Sequence, residues 1–175
     1  MDISIAVSIF CSVFSAPDFY LKKSRKITAC KSIETIYKES KKNDVSPTLA
    51  MSMVYVESGW KKTAVSHMGA CGLTQVIPKY TGKITKKYSC EQLKNPRLSI
   101  KVGLKTFRWW INYHEKNQPK NRKYTKEELL KRALCSYNAG FRCKGKKPSK
   151  GGMRYAEKIY KLKRKIESRA KSLIE

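Results

Sequence analysis

Glu57 is the residue best placed to do chemistry. It lies in the run Met51-Ser52-Met53-Val54-Tyr55-Val56-Glu57-Ser58-Gly59-Trp60. The pattern ends a helix at Gly59, so Glu57 falls in the last turn. A carboxylate there faces the negative end of the helix macrodipole, which favours its protonated form. Tyr55, Val56 and Trp60 would withdraw it from water and push the same way. The dipole is worth only ~0.3–1 kcal/mol, under one pKa unit, so desolvation must do most of the tuning. A carboxyl group kept neutral near pH 7 can protonate the oxygen of a glycosidic bond.

The elements that must hold this group are helical. Ile33, Ile36 and Tyr37 line one face from Lys31 to Asn43-Asp44. Ser46-Pro47 then reads as an N-cap with proline at the first helical position, opening the Glu57 helix. Residues 59–95 are rich in glycine and turns, with room for one or two short helices. Asn95-Pro96 repeats the cap-plus-proline device before Ile100, Leu104, Phe107 and Ile111. Thr125 and Glu128 form a capping box for a helix running to Gly140. After a basic loop over 142–152, a final helix carries Tyr155, Ile159, Leu162 and Ile166 on one stripe. About five or six helices and no internal strand predict an all-α fold in one domain over residues 27–170.

Four blocks occur in order. They are Glu57-Ser58-Gly59; Ala64-Val65-Ser66-His67-Met68-Gly69-Ala70-Cys71-Gly72-Leu73-Thr74-Gln75; Asn95-Pro96 with Ile100 and Gly103; and Ala133-Leu134-Cys135-Ser136-Tyr137-Asn138-Ala139-Gly140. Together they resemble the soluble lytic transglycosylase family, the lysozyme-like catalytic domains that cut peptidoglycan, over roughly residues 31 to 165. The resemblance implies a helical domain around a substrate cleft, with Glu57 as acid and base. Glu57 would protonate the oxygen between N-acetylmuramic acid and N-acetylglucosamine. It would then take the proton of the muramic C6 hydroxyl, closing a 1,6-anhydro ring. The substrate's own acetamido group would serve in place of a second carboxylate. In keeping with this, no Asp or Glu lies within ten residues of Glu57.

The resemblance also implies that Tyr137 orients Glu57 or the acetamido group, and that Gln75 contacts substrate. Asn138, Ser58 and Ser66 would shape or line the cleft. Thr74 stands where the family usually has Met, and Cys71 where a larger residue is common. His67 reads as a solvent-facing loop histidine. Trp60, Trp109 and Trp110 could stack on sugars, although Trp109 and Trp110 share an amphipathic helix that must bury at least one. The rivals are a hydrolytic muramidase on the same fold and a basic structural or DNA-associated protein without activity.

Composition frames the setting. Lys plus Arg number 39 and Asp plus Glu 13, a net charge of +26 that calls for an anionic partner. An acidic cell-wall polymer fits, and nucleic acid would be bound only non-specifically, since no nucleic-acid motif accompanies the charge. Two histidines and six cysteines without a C-x-x-C argue against a zinc site, and no cofactor is implied. Cys135 and Cys143 could bridge around a loop, with buried free thiols the equal alternative. Residues 1–16 have two readings. They resemble a signal peptide ending at Ala16-Pro17, with Asp2 where a basic residue is usual. Their alternation from Ile3 to Phe14 also fits a strand pairing with a partner chain. The expected setting is the periplasm or outer wall, reached by secretion or in a phage virion, with virion, tail or envelope-apparatus proteins as partners.

Overall fold

The computed structural model describes residues 2–145 and 147–175. Among these residues there are eight α-helices: α1 (Ile3–Ser15), α2 (Lys23–Lys42), α3 (Pro47–Ser58), α4 (Pro78–Thr81), α5 (Cys90–Leu93), α6 (Pro96–Lys116), α7 (Lys126–Ala139) and α8 (Lys150–Lys171). Among the described residues there is no strand, and only Val65–Cys71 and Cys71–Val76 form isolated β-bridges. The all-α expectation holds. The two one-turn helices, α4 and α5, account for the short helices expected in residues 59–95.

The strand reading of the N-terminus gives way to a helix. Ala6, Phe10, Val13 and Phe14 are its buried residues, a helical spacing that leaves Ile3 and Ile5 exposed. Asp2 caps it by accepting from the Ser4 N–H at 2.7 Å. A period of two cannot bury that set, and the helical period can. Phe14 then meets the ring of Trp60 edge-on at 5.0 Å and that of Phe19 at 5.3 Å. A disulfide, Cys11–Cys30, fastens α1 to α2.

Helix α3 is the centre of the molecule. Leu49 to Val54 are buried without a break, so the helix is apolar all round rather than amphipathic. It packs against α2 and α8. Ser46 sits at the N-cap as expected but makes no capping bond. Its hydroxyl pairs instead with that of Thr48 at 2.7 Å. At the other end Gly59 and then Trp60 are left-handed, with φ of 53° and 65°. That double reversal turns the chain back so that Trp60 is fully buried. Trp60 is therefore a core residue and presents no face to a sugar.

The remaining helices start where the capping signals place them. Asn95 accepts from the Leu98 N–H at 3.1 Å, and Thr125 and Glu128 form their reciprocal box at 3.2 and 2.9 Å. Between α6 and α7, His114 is buried and its Nε2 lies 2.8 Å from the Ser136 hydroxyl. Lys131 joins α7 to α8 by bridging Glu127 at 2.8 Å and Glu157 at 2.7 Å. Trp110 is buried as well, while Trp109 stays partly exposed in a cluster with Tyr113 and Phe141.

All six cysteines pair. Cys71–Cys90 ties the loop after α3 to α5, and Cys135–Cys143 closes the end of α7, as the bridging reading of that pair expected. Gly152 runs against this last disulfide: a Cβ there would lie 2.6 Å from the Cys135 sulfur. Only glycine allows the start of α8 to come this close, and that approach sets where Tyr155 points.

Candidate active site

Glu57 comes off the last turn of α3, partly buried, with its carboxyl withdrawn from water. Burial raises its pKa from 4.5 to about 7, against the opposing pull of a hydrogen bond from Tyr155. Tyr155 donates its hydroxyl to Glu57 Oε1. Burial, reinforced by the charge of Glu57, pushes the Tyr155 hydroxyl well above its usual range, so it remains a donor. No other carboxylate contributes to the proton affinity of Glu57. A carboxyl that titrates near neutral pH, steadied by one neutral phenol, can act as a general acid and, once it has lost its proton, as a base.

Tyr137 lies in the same buried group but bonds elsewhere. Burial and the charge of Glu57 raise its pKa, and its hydroxyl donates to the Thr74 carbonyl at 2.7 Å. Of the two roles that the resemblance implies for Tyr137, orienting Glu57 or the acetamido group, the hydrogen bond to Glu57 is made by Tyr155. Sequence reasoning treated Tyr155 only as part of the apolar stripe of the last helix. Its one signal was a polar-tipped ring among Ile159, Leu162 and Ile166, just after the Gly151-Gly152 pair.

Thr74 is the hinge pin of the loop beneath the site. It is buried, its N–H donates to the Ser99 hydroxyl at 3.1 Å, and its own hydroxyl donates to the Ser99 carbonyl at 2.8 Å. Gly103 makes room for it: a Cβ at 103 would come within 2.4 Å of the Thr74 Cβ. The Thr74 hydroxyl bonds α6 through Ser99, and the Thr74 backbone carbonyl accepts from Tyr137.

The other sequence-predicted residues are placed as follows. Gln75 has φ 50°, and its amide Nε2 donates to the carbonyls of Gly72 at 2.9 Å and Ala64 at 3.2 Å. Its donors therefore brace the loop. Ser66 also serves this loop, accepting from the Ala70 N–H at 3.0 Å. Ser58 returns its hydroxyl to the Val54 carbonyl at 3.1 Å within α3. Asn138 is exposed at the end of α7, directly after Tyr137. His67 is exposed on the loop, as expected. Among the described residues no group of three His, Cys, Asp or Glu side chains could hold a metal ion.

Comparison with known proteins bears on the family and the fold. The family model described as Transglycosylase SLT domain matches residues 34–160. Among solved structures, an inactive mutant of the lytic transglycosylase Slt from Pseudomonas aeruginosa shares the fold, with a TM-score of 0.61 and 19% identity. The likeness covers 77% of this chain and 23% of that one, so the chain spans about a quarter of the length of its structural relative. No curated protein matches the sequence.

Proposed function

The chain belongs to the transglycosylase SLT domain family, and on that premise we propose that it is a lytic transglycosylase that cuts the β-1,4 bond between N-acetylmuramic acid and N-acetylglucosamine in peptidoglycan. The observation that carries the reading is the carboxyl of Glu57, held protonated near neutrality by burial and gripped by Tyr155. Glu57 gives its proton to the glycosidic oxygen as the bond breaks through an oxocarbenium-like state. The substrate's acetamido group covers the anomeric carbon. The glutamate, now anionic and still bonded to Tyr155, removes the proton from the muramic C6 hydroxyl, and that oxygen closes the 1,6-anhydro ring. One group is acid and then base, so its pKa must sit near the working pH.

The isolation of Glu57 favours a one-carboxylate, substrate-assisted route over the two-carboxylate routes of hydrolysis. An inverting muramidase needs a second carboxylate to activate water, and a retaining one needs it as nucleophile. Burial and Tyr155 are the influences on Glu57, and none comes from another acid. Asn138, exposed at the rim, and the loop that carries Ser66 and Gln75 are assigned to contact the sugars. Ser58 is assigned to shape the cleft beside Glu57.

The setting follows from the covalent framework and the charge. Three disulfides suit an oxidising compartment, and a net charge of +26 holds the chain to an anionic wall. Secretion or carriage in a phage particle would deliver it there. We assign residues 3–15 to the working fold, because α1 fills part of the core. Digestion of purified peptidoglycan followed by mass spectrometry of the muropeptides tests the reading. Anhydro-muramyl ends are expected. Reducing ends would make the chain a muramidase, and no release at all would make it a non-enzyme.

A further inference from the structure

Glu57 is held by a group that is itself held. Tyr155 donates to it from near the start of α8. Where α8 starts is set by α7 and the short helical turn that follows it. Cys135, in α7, and Cys143, at the end of the turn Gly140–Cys143, are fully buried and joined to each other. Gly152 packs on this bond: a Cβ there would lie 2.6 Å from the Cys135 sulfur and 2.8 Å from the Cys143 sulfur. Ser149, the N-cap of α8, is tied to the same corner. Its N–H donates to the Arg142 carbonyl at 3.0 Å, and its hydroxyl accepts from the Gly152 N–H at 3.3 Å. Tyr155 lies less than one turn beyond Gly152, so only about 4.5 Å of helix separates the disulfide contact from the phenol.

Such a contact transmits displacement. Both sulfurs face Gly152, which has no side chain to absorb a change. Once the bond is broken the sulfurs cannot stay at bonding distance, and the seat of Gly152 changes as they part. The Tyr155 hydroxyl moves with the start of α8, and a hydrogen bond weakens steeply when its geometry is lost. The other two disulfides have no such reach. Cys11–Cys30 joins α1 to α2, and Cys71–Cys90 joins the loop after α3 to α5.

We propose that the Cys135–Cys143 disulfide positions Tyr155 on Glu57, and that the redox state of this one bond gates catalysis. The inference rests on Glu57 being the acid and base of the reaction proposed above. The activating step is thiol–disulfide exchange. Cys135 and Cys143 give up two protons and two electrons as their S–S bond forms, and a small disulfide oxidant takes them up as its own S–S bond breaks to two thiols. Because both sulfurs are buried, the open state belongs to the newly made chain and not to attack on the finished fold. A chain made under reducing conditions is thereby held slow until it reaches an oxidising compartment.

The test is a double-mutant cycle on peptidoglycan, run at low temperature where each protein is folded. Combining Cys135→Ala and Cys143→Ala should lower kcat about tenfold and leave KM within about twofold. Tyr155→Phe should cost wild type about tenfold, but the cysteine variant no more than about twofold further. Full activity in the cysteine variant, or losses that simply add, overturns the proposal. Gly152→Ala keeps every disulfide and gains helix propensity, yet should lose as much kcat. It decides the matter if the cysteine variant does not fold, and full activity there overturns the proposal. Wild type prepared under a dithiol reductant, with its thiols counted by alkylation and mass, should start about tenfold slow and recover on oxidation. The cysteine variant treated alike should stay slow, and an equal recovery would assign the effect to the other bridges and overturn the gate. Carbon NMR of the Glu57 carboxyl reads the same coupling without turnover. Tyr155→Phe should raise the Glu57 titration above about 7 in the disulfide-bonded protein and leave it unmoved in the cysteine variant. That result upholds the positioning even if wild type releases no product, which would overturn the enzymatic reading alone. An equal shift in both backgrounds overturns the positioning.

Discussion

The Tyr155 hydroxyl donates to Oε1 of Glu57, linking the start of α8 to the end of α3 across the core of the domain. The bond favours the carboxylate over the acid, so it holds down a pKa that burial drives up. It also fixes one oxygen of Glu57, so the proton to be donated resides on the other. A partner that stays neutral when Glu57 ionises can serve both halves of an acid-then-base cycle.

Replacing Tyr155 with Phe should therefore move the alkaline limb of the kcat/KM profile upward from about pH 7. It should also lower kcat by about tenfold or more, as the carboxyl loses its orientation. The limb shift separates positioning from simple loss of structure. A variant with reduced activity and an unmoved limb would deny Tyr155 this role.

Glu57→Gln should remove turnover, a loss of about 10²–10⁴-fold from the acid step alone. Its effect on stability has a definite sign. The folded carboxyl titrates at about 7, above its ordinary value of 4.5. Between these values the folded state holds a proton that the unfolded chain has released, so wild-type stability falls as pH rises through that window. Glutamine cannot ionise, and the variant should gain on wild type from pH 4.5 upward, levelling off above pH 7 at about 1–3 kcal/mol. Melting temperatures of the pair across this range check it, and a constant difference would place Glu57 in an ordinary solvated environment.

Most of the scaffold was legible because its signals are local. Asn95-Pro96, the Thr125–Glu128 box and the Gly59 stop each act within one turn of chain, and each lies at the helix boundary it predicted. The helix-end position of Glu57 was legible for the same reason, whereas its burial depends on the helices packed around it. Tyr155 was not, because its meaning depends on Gly152 seating α8 against the Cys135–Cys143 disulfide. The fit of Thr74 was not legible either, because Gly103 and Ser99, which receive it, lie on another helix. Trp60 misled because a left-handed tryptophan after a helix stop is a tertiary arrangement that no periodicity announces. The N-terminus misled because Ile3–Phe14 satisfies two periods at once, and only the presence of α2 and Trp60 decides which face is buried.

His114 gives the fold a sensitivity to acid. It is buried against Ser136, and desolvation, with a contribution from Arg132, lowers its pKa from 6.5 to about 4. Above pH 6.5 it is neutral folded or unfolded. As pH falls from 6.5 to 4 the unfolded chain takes up a proton that the folded one refuses, and stability is lost over that interval. His114→Gln keeps a polar group near Ser136 and removes the titration. Its stability should fall less steeply between pH 6.5 and 4, by about 1–3 kcal/mol in total. Parallel curves for the two proteins would show that His114 takes no part in acid unfolding.

Residues 3–15 should behave as part of the folded domain. Ala6, Phe10, Val13 and Phe14 are buried, and the ring of Phe14 meets Trp60, which follows the left-handed stop of the Glu57 helix. Removing α1 would uncover Trp60 and leave Cys30 without its partner, Cys11. Losing that crosslink alone should cost about 2–4 kcal/mol, since it closes a loop of moderate length. A Cys11→Ser, Cys30→Ser double variant should accordingly melt several degrees lower while keeping its activity at low temperature. A chain beginning at Pro17 should melt lower still and lose activity as the end of α3 loosens. Intact-mass measurement of the mature protein completes the test. A mass that includes residues 3–15, with Cys11 oxidised, is expected. A mature chain beginning at Pro17 with full activity would show that α1 is a leader after all.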